Sequence, residues 1–184
     1  MIFEHAQAVG KSAATVLLDI AKAFENISQQ RLIYLAIKYD FDLALLKFIL
    51  ATYRITRYVV VGGVVAAPVI ACRSIVPGDS FADVLMYLSV LDVCDGLLDS
   101  FSSMHVAFSL GLVADDIQIA AVGSRYAVQS VVSLATRQAI AGLEEDCLLP
   151  VSTPKLVLLT DGYATAKGIT NRVCRLKRAW KPQA

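Results

Sequence analysis

A chain of 184 residues, 57% hydrophobic and 18% charged, can bury one core, and that balance excludes intrinsic disorder. Ten glycines and five prolines exclude a collagen-like or Gly/Ser-rich chain. The net charge of +1, from 17 basic and 16 acidic residues, removes any argument for nucleic-acid binding from overall charge.

Residues 14–20 form a short apolar run with an acid near its end, which predicts a buried strand. Ser28 predicts an N-cap for a helix reaching about Lys38, and Asp42 predicts a second cap. Val-rich runs at 58–61 and 64–72 flank Gly62-Gly63, the pattern of a hairpin. Pro77-Gly78 marks a loop over 74–79. Ser80 is expected to cap a long helix to about Leu98, with Phe81, Val84, Leu85, Leu88 and Leu91 on its core side. Residues 106–113 and 117–122 read as strands joined across Ala114-Asp115-Asp116. Ser124 predicts the cap of a further helix, with Gly142 as its stop. A last strand is expected over 155–159, before an Asp161-Gly162 turn. The order β-αα-β-β-α-β-β-α-β predicts an α+β fold, an antiparallel sheet with helices on one face.

The longest uncharged apolar run, 58–72, is too short to span a bilayer and is broken by Gly62-Gly63 and Pro68. No leader pattern opens the chain. A nuclear or cytoplasmic protein, not secreted and without a membrane partner, is the expectation. Cys72, Cys94, Cys147 and Cys174 form no CxxC, and His5 and His105 are near none of them, so buried free thiols are expected. After Asp161 the chain carries Lys167, Arg172, Arg175, Lys177, Arg178 and Lys181 and no acid. Such a tail suits phosphate contacts, and equally a solvated terminus.

Three acids stand in apolar settings. Asp19 lies near the end of a strand, and Asp115 and Asp116 sit at a hairpin tip. Carboxylates there are expensive to desolvate without a cation, and adjacent acids repel. Two strands carrying three carboxylates suit Mg²⁺, which takes one or two carboxylates plus phosphate and water oxygens. An ordinary Asp-rich turn explains Asp115-Asp116 equally well.

Val16-Leu17-Leu18-Asp19-Ile20-Ala21-Lys22-Ala23-Phe24-Glu25 resembles the first catalytic motif of reverse transcriptases, above all those of non-LTR retrotransposons and group II introns. Val113-Ala114-Asp115-Asp116 resembles the family's aromatic-Ala-Asp-Asp hairpin. Arg73-Ser74-Ile75-Val76-Pro77-Gly78-Asp79 resembles its Arg-Gly-Val-x-Gln-Gly-Asp loop, and Leu149-Pro150-Val151-Ser152-Thr153-Pro154-Lys155 its lysine motif. Four motifs in one order cover about residues 14–160. The sequence departs from the pattern at Pro77 (usually Gln), Ala82-Asp83 (usually Ser-Pro), Val113 (usually aromatic) and Glu25 (commonly Asp).

The resemblance implies an RNA-directed DNA polymerase palm over 1–160, and a basic segment over 161–184 leading toward a thumb. It implies two Mg²⁺ or Mn²⁺ ions held by Asp19, the Ile20 carbonyl, Asp115 and Asp116. Lys155 would stand near the leaving pyrophosphate, or be a strand-edge lysine. Phe24 would gate the sugar, or pack at a helix start. Arg73 and Gly78 would lie along the nucleotide, Gly78 admitting the nascent pair. The implied partners are a primed RNA or DNA template and a dNTP. Fingers and most of a thumb are expected to be missing, so the chain alone should have little activity. The alternatives are a non-catalytic retroelement remnant that binds nucleic acid weakly, a nucleotidyl cyclase-like palm, and a structural α+β domain.

Overall fold

Strand pairing along residues 12–19 organises the molecule. The computed structural model describes residues 2–71 and 73–177. Cys72, Arg178 and Lys181 lie outside them. In chain order the elements are α1 (Ile2–Ala8), β1 (Ser12–Asp19), α2 (Ala23–Asn26), α3 (Gln29–Lys38), α4 (Leu43–Tyr53), β2 (Val60–Val61), β3 (Val64–Val65) and α5 (Ala82–Phe101). They continue with β4 (Ala107–Val113), β5 (Asp116–Gly123), α6 (Arg125–Ala141), β6 (Val157–Thr160) and α7 (Tyr163–Lys177). The main sheet has the order β4-β5-β1-β6, antiparallel throughout.

Side chains alternate across a strand, and β1 shows what each face meets. Ala14, Val16 and Leu18, with Ile20 just beyond, enter the main core; so do Ile117, Ile119 and Ala121 of β5. Helices α5 and α6 pack on each other and supply much of the rest of that core, including Leu85, Met86, Leu97, Phe101, Val128 and Val132, while α3 and α4 add Leu32, Leu35, Leu46 and Ile49. The Phe101 and Phe108 rings lie 5.2 Å apart, joining α5 to β4. Helix α7 packs on α6. The other face carries Asp19, Leu17, Gln118, Val113, Val157 and Leu159, and much of it is exposed. Burial on that face occurs at the opposite end of β1, where α1 packs and Ala6, Ala13 and Ala120 form a separate enclosed patch.

The α+β class and the antiparallel sheet agree with the sequence reading. Ser28 accepts from the Arg31 N–H, and Asp42 accepts from those of Ala44 and Leu45. Several details differ. Helix α5 starts at Ala82, not after Ser80, and runs to Phe101; its N-cap position, Phe81, has no capping side chain. Ser124 occupies the N-cap of α6 without a side-chain bond. Gly142 does not stop the chain in a left-handed turn: its φ is −61°, and residues Gly142–Asp146 continue as a π-helical turn. The last strand begins at Val157, because Thr153–Lys155 winds into a 3₁₀ turn with Pro154 near its start. Helices α1, α2 and α7 were not anticipated. Strands β2 and β3 are two residues each, and every residue from 57 to 70 is exposed. Cys94 and Cys147 are buried free thiols, and burial raises the Cys94 thiol to about 11.

The alternation along β1 sets a testable contrast. Leu18 is fully buried in the main core, so Leu18→Ala should cost about 2–5 kcal/mol of unfolding free energy in denaturant titration. Leu17→Ala on the other face should cost much less. Equal losses at the two positions would show that the second face is also covered.

Candidate functional site

Asp19 and Asp116 are direct cross-strand partners in the β1–β5 register. The Ile20 N–H donates to the Asp115 carbonyl at 3.3 Å. That bond makes the Asp19–Asp116 pair a non-hydrogen-bonded one, the narrow kind, with Cα atoms about 4.5 Å apart and side chains on one face. Like charges set directly across a sheet destabilise it. Asp115 is next in the hairpin turn, whose other central residue, Ala114, has φ 52°. A left-handed backbone is uncommon for a residue with a Cβ, and such strain clusters at functional turns. Asp19 and Asp116 therefore meet at one end of the sheet, on the face away from α5 and α6, with Asp115 beside them in the turn.

Lys155 completes the group. Its ammonium donates to Asp19 Oδ1 at 2.9 Å. The Asp19 side chain is 17% exposed and that of Lys155 69%. The backbone enforces this approach: the Ser152 N–H donates to the Asp19 carbonyl at 2.8 Å, and the Ala21 N–H to the Pro150 carbonyl at 2.8 Å. Ile20 thereby pairs with Val151 on one side and meets Asp115 on the other. The pair with Asp19 raises the Lys155 ammonium above its ordinary value. Partial burial raises Asp116, and the charges of Asp115 and Asp19 push it the same way.

Asp19 Oδ2 is buried and has no hydrogen-bond partner. An orphaned carboxylate oxygen beside two further carboxylates fits a hard divalent cation in donor chemistry. In the present arrangement a lysine, not a third carboxylate, sits on Asp19. Among the described residues no group of three or more His, Cys, Asp or Glu side chains stands ready to hold a metal ion.

The remaining predicted residues belong to an adjoining unit. Phe24, in α2, is half-buried against the main core. The α2 segment holds the 73–79 loop: the Ile75 N–H donates to the Phe24 carbonyl at 2.9 Å, and the Ser74 N–H to that of Ile27 at 3.0 Å. Arg73 and Gly78 are exposed on that loop. Gly78 has φ +81°, and a Cβ there would meet no atom within 4 Å. The fold needs glycine at this position for backbone conformation, not for space. Sequence reasoning missed the loop's anchors. Gln29 donates to the Ser74 carbonyl and accepts from Arg54, and the Tyr53 hydroxyl donates to Asp79. These partners lie 25 to 45 residues apart in the chain, so no local pattern could reveal them. A cleft of 460 Å³ lies elsewhere, lined by Arg31, Tyr34, Asp92 and Glu145 among others, and contains none of the acids above.

Among the described residues no helix is long and apolar enough to cross a membrane. No family model and no curated protein matches the chain. Among solved structures, apo telomerase from Candida tropicalis, truncated from its C-terminal domain, is similar with a TM-score of 0.62 and 11% identity. The match covers 86% of this chain and 33% of that one, so this chain spans about a third of the telomerase chain. At that identity the likeness concerns the fold alone: the chain has a palm-type α+β fold like that of part of the telomerase chain.

Proposed function

We propose that this chain is the palm of an RNA-directed DNA polymerase, of the non-LTR retrotransposon or group II intron type suggested by its motifs. The observation that carries the reading is the narrow pairing of Asp19 with Asp116 beside Asp115, on the uncovered face of a palm-type sheet. The reaction is attack of a primer 3′-oxygen on the α-phosphorus of a dNTP. The new phosphodiester bond forms as the bond to pyrophosphate breaks, and the hydroxyl proton is lost. Asp19, Asp115 and Asp116, with the Ile20 carbonyl, would hold two Mg²⁺ or Mn²⁺ ions. When bound, such ions supply charge stabilisation at the attacking and leaving oxygens. Lys155 would bring a positive charge to the triphosphate, and Phe24 would lie against the sugar and exclude a 2′-hydroxyl. Arg73 and Gly78 would border the nascent pair. Residues 161–184 would lead toward a thumb and add basic contacts to a nucleic-acid backbone.

Two metals and a lysine do not hold a triphosphate in line by themselves, and orientation accounts for much of such a barrier. Slow chemistry is therefore expected of the chain alone. Under single-turnover conditions with a primed template and Mn²⁺, it should add one templated dNTP slowly. Asp115→Ala should lower this by at least about 100-fold. Addition that ignores the template, or that persists in Asp115→Ala, would refute the proposal. A second reading, a non-catalytic remnant, draws support from the lysine on Asp19 and the lack of a ready metal-holding group among the described residues. It predicts no templated addition at all, with nucleic-acid binding that fades as salt rises.

The sugar gate gives a separate test. Phe24→Val should lower discrimination against ribonucleotides by about 10-fold or more, since a removed steric block is worth that much. Unchanged discrimination would leave Phe24 as a packing residue.

The acids also leave a signature in stability. The Asp116 carboxyl is raised in the folded state, so the folded chain binds more protons than the unfolded chain just above the ordinary carboxylate range. Stability then falls as pH rises through that window, and the penalty is fully present at neutral pH. Asp116→Asn should therefore stabilise the fold at pH 7, by at most about 1 kcal/mol because exposed charges are screened. The gain should shrink as the pH falls through the window just above the ordinary carboxylate range, as wild-type Asp116 takes up its proton. A variant less stable than wild type at pH 7 would show that Asp116 is held by a favourable partner.

A further inference from the structure

We infer that Lys155 is an internal stand-in for the cation at Asp19, and that it leaves Asp19 whenever a divalent ion is bound there. The inference rests on the metal-holding role proposed above for Asp19, Asp115 and Asp116.

Asp19 faces Asp116 across a narrow strand pair, so its charge needs an offset in the folded chain. Lys155 supplies it through a single contact, Nζ to Oδ1 at 2.9 Å. The second oxygen, Oδ2, is buried with no partner. One lysine thus satisfies half of the carboxylate and leaves the half that a multidentate cation would use.

The lysine is also built to leave. Its side chain is 69% exposed, and its ion pair with Asp19 is the kind that contributes little. Its backbone, in contrast, stays in register. The Ser152 N–H holds the Asp19 carbonyl, and the Lys155 N–H closes the 3₁₀ turn onto the Ser152 carbonyl at 3.0 Å. When the ammonium swings off Asp19, the base of its stem remains beside the acids. It then carries an unpaired positive charge within a side chain's length of the site, where a triphosphate needs one. Cation loading and lysine release are two views of one coupling, so removing the lysine must strengthen cation binding by the same factor.

The test is Mn²⁺ binding by the full 184-residue chain, followed by the electron paramagnetic resonance of free Mn²⁺. Lys155→Met keeps the apolar stem and removes the charge. It should bind Mn²⁺ about 2- to 5-fold more tightly than wild type, the range of an exposed ion pair, whereas Lys155→Arg should stay near wild type. Equal or weaker binding in Lys155→Met overturns the inference. In wild-type chain labelled at lysine nitrogen, the Lys155 Nζ resonance should move on Mg²⁺ addition, and should not do so in Asp19→Asn. A resonance unmoved at saturating Mg²⁺ overturns the inference independently. Mn²⁺ binding that survives Asp19→Asn with and without Lys155 refutes the metal-holding role itself. Absence of Mn²⁺ binding in both wild type and Lys155→Met overturns both.

Discussion

Two like charges held directly across a narrow strand pair are the constraint on which the rest of this structure turns. Nothing about Asp19 and Asp116 favours their meeting; the register imposes it. That register is fixed at two places. The β4–β5 hairpin closes in a two-residue turn, which leaves no slack to slide Asp116 past Val113. Along β1 and β5, Val16 opposes Ile119 and Leu18 opposes Ile117, all buried. A one-residue slip of β1 would turn Asp19 into the core and Ala14, Val16 and Leu18 out of it. The hydrophobic alternation therefore holds the acids in place, at the far end of the strand from the patch that α1 covers.

The same logic explains why the site extends past the sheet. Chain leaving β1 turns through Lys22, with φ 50°, into the one-turn helix α2, which has no capping side chain of its own. Four residues make a weak helix, and this one is secured by what it holds. Its carbonyls receive the 73–79 loop, while Asn26 reaches back to the Ala21 carbonyl. The loop is pinned at its other end by Tyr53 from α4, whose hydroxyl burial and the Asp79 charge keep protonated. Helix α4, α2 and the loop thus form one bonded unit next along the chain from Asp19.

Much of this was legible in the chain. The short apolar runs over 14–20 and 117–122 located both central strands, and the placement of Asp19 and Asp115-Asp116 near their ends was enough to expect convergence. The caps at Ser28 and Asp42 were local chemistry and could be read directly. What escaped was contextual. Ser80 and Ser124 are good cap residues by composition, but neither hydroxyl makes a capping bond. Gly142 resembles a helix stop, but its helical φ lets the chain add a π-helical turn, with Val93 packed against its Cα. Helix α7 escaped because its dense positive charge imitates a solvated tail; among its described side chains Thr165 and Ile169 are buried, four apart. The partnership of Lys155 with Asp19 spans 136 positions and follows from backbone bonds at Ser152 and Pro150 that no residue pattern encodes.

The valine hairpin gives the molecule a second character. Val60, Val61, Val64 and Val65 are each about 60–70% exposed, and the two strands carry only themselves. Arg57 and Val69 exchange both backbone bonds, which turns the N–H and C=O groups of Tyr58 outward along one border. Across the hairpin Pro68 interrupts the other border, since it has no N–H to offer. One side of this ribbon is therefore adhesive and the other blunted. In concentrated solution, or on a crowded ribosome, the Tyr58 border is where this chain would first find unintended company.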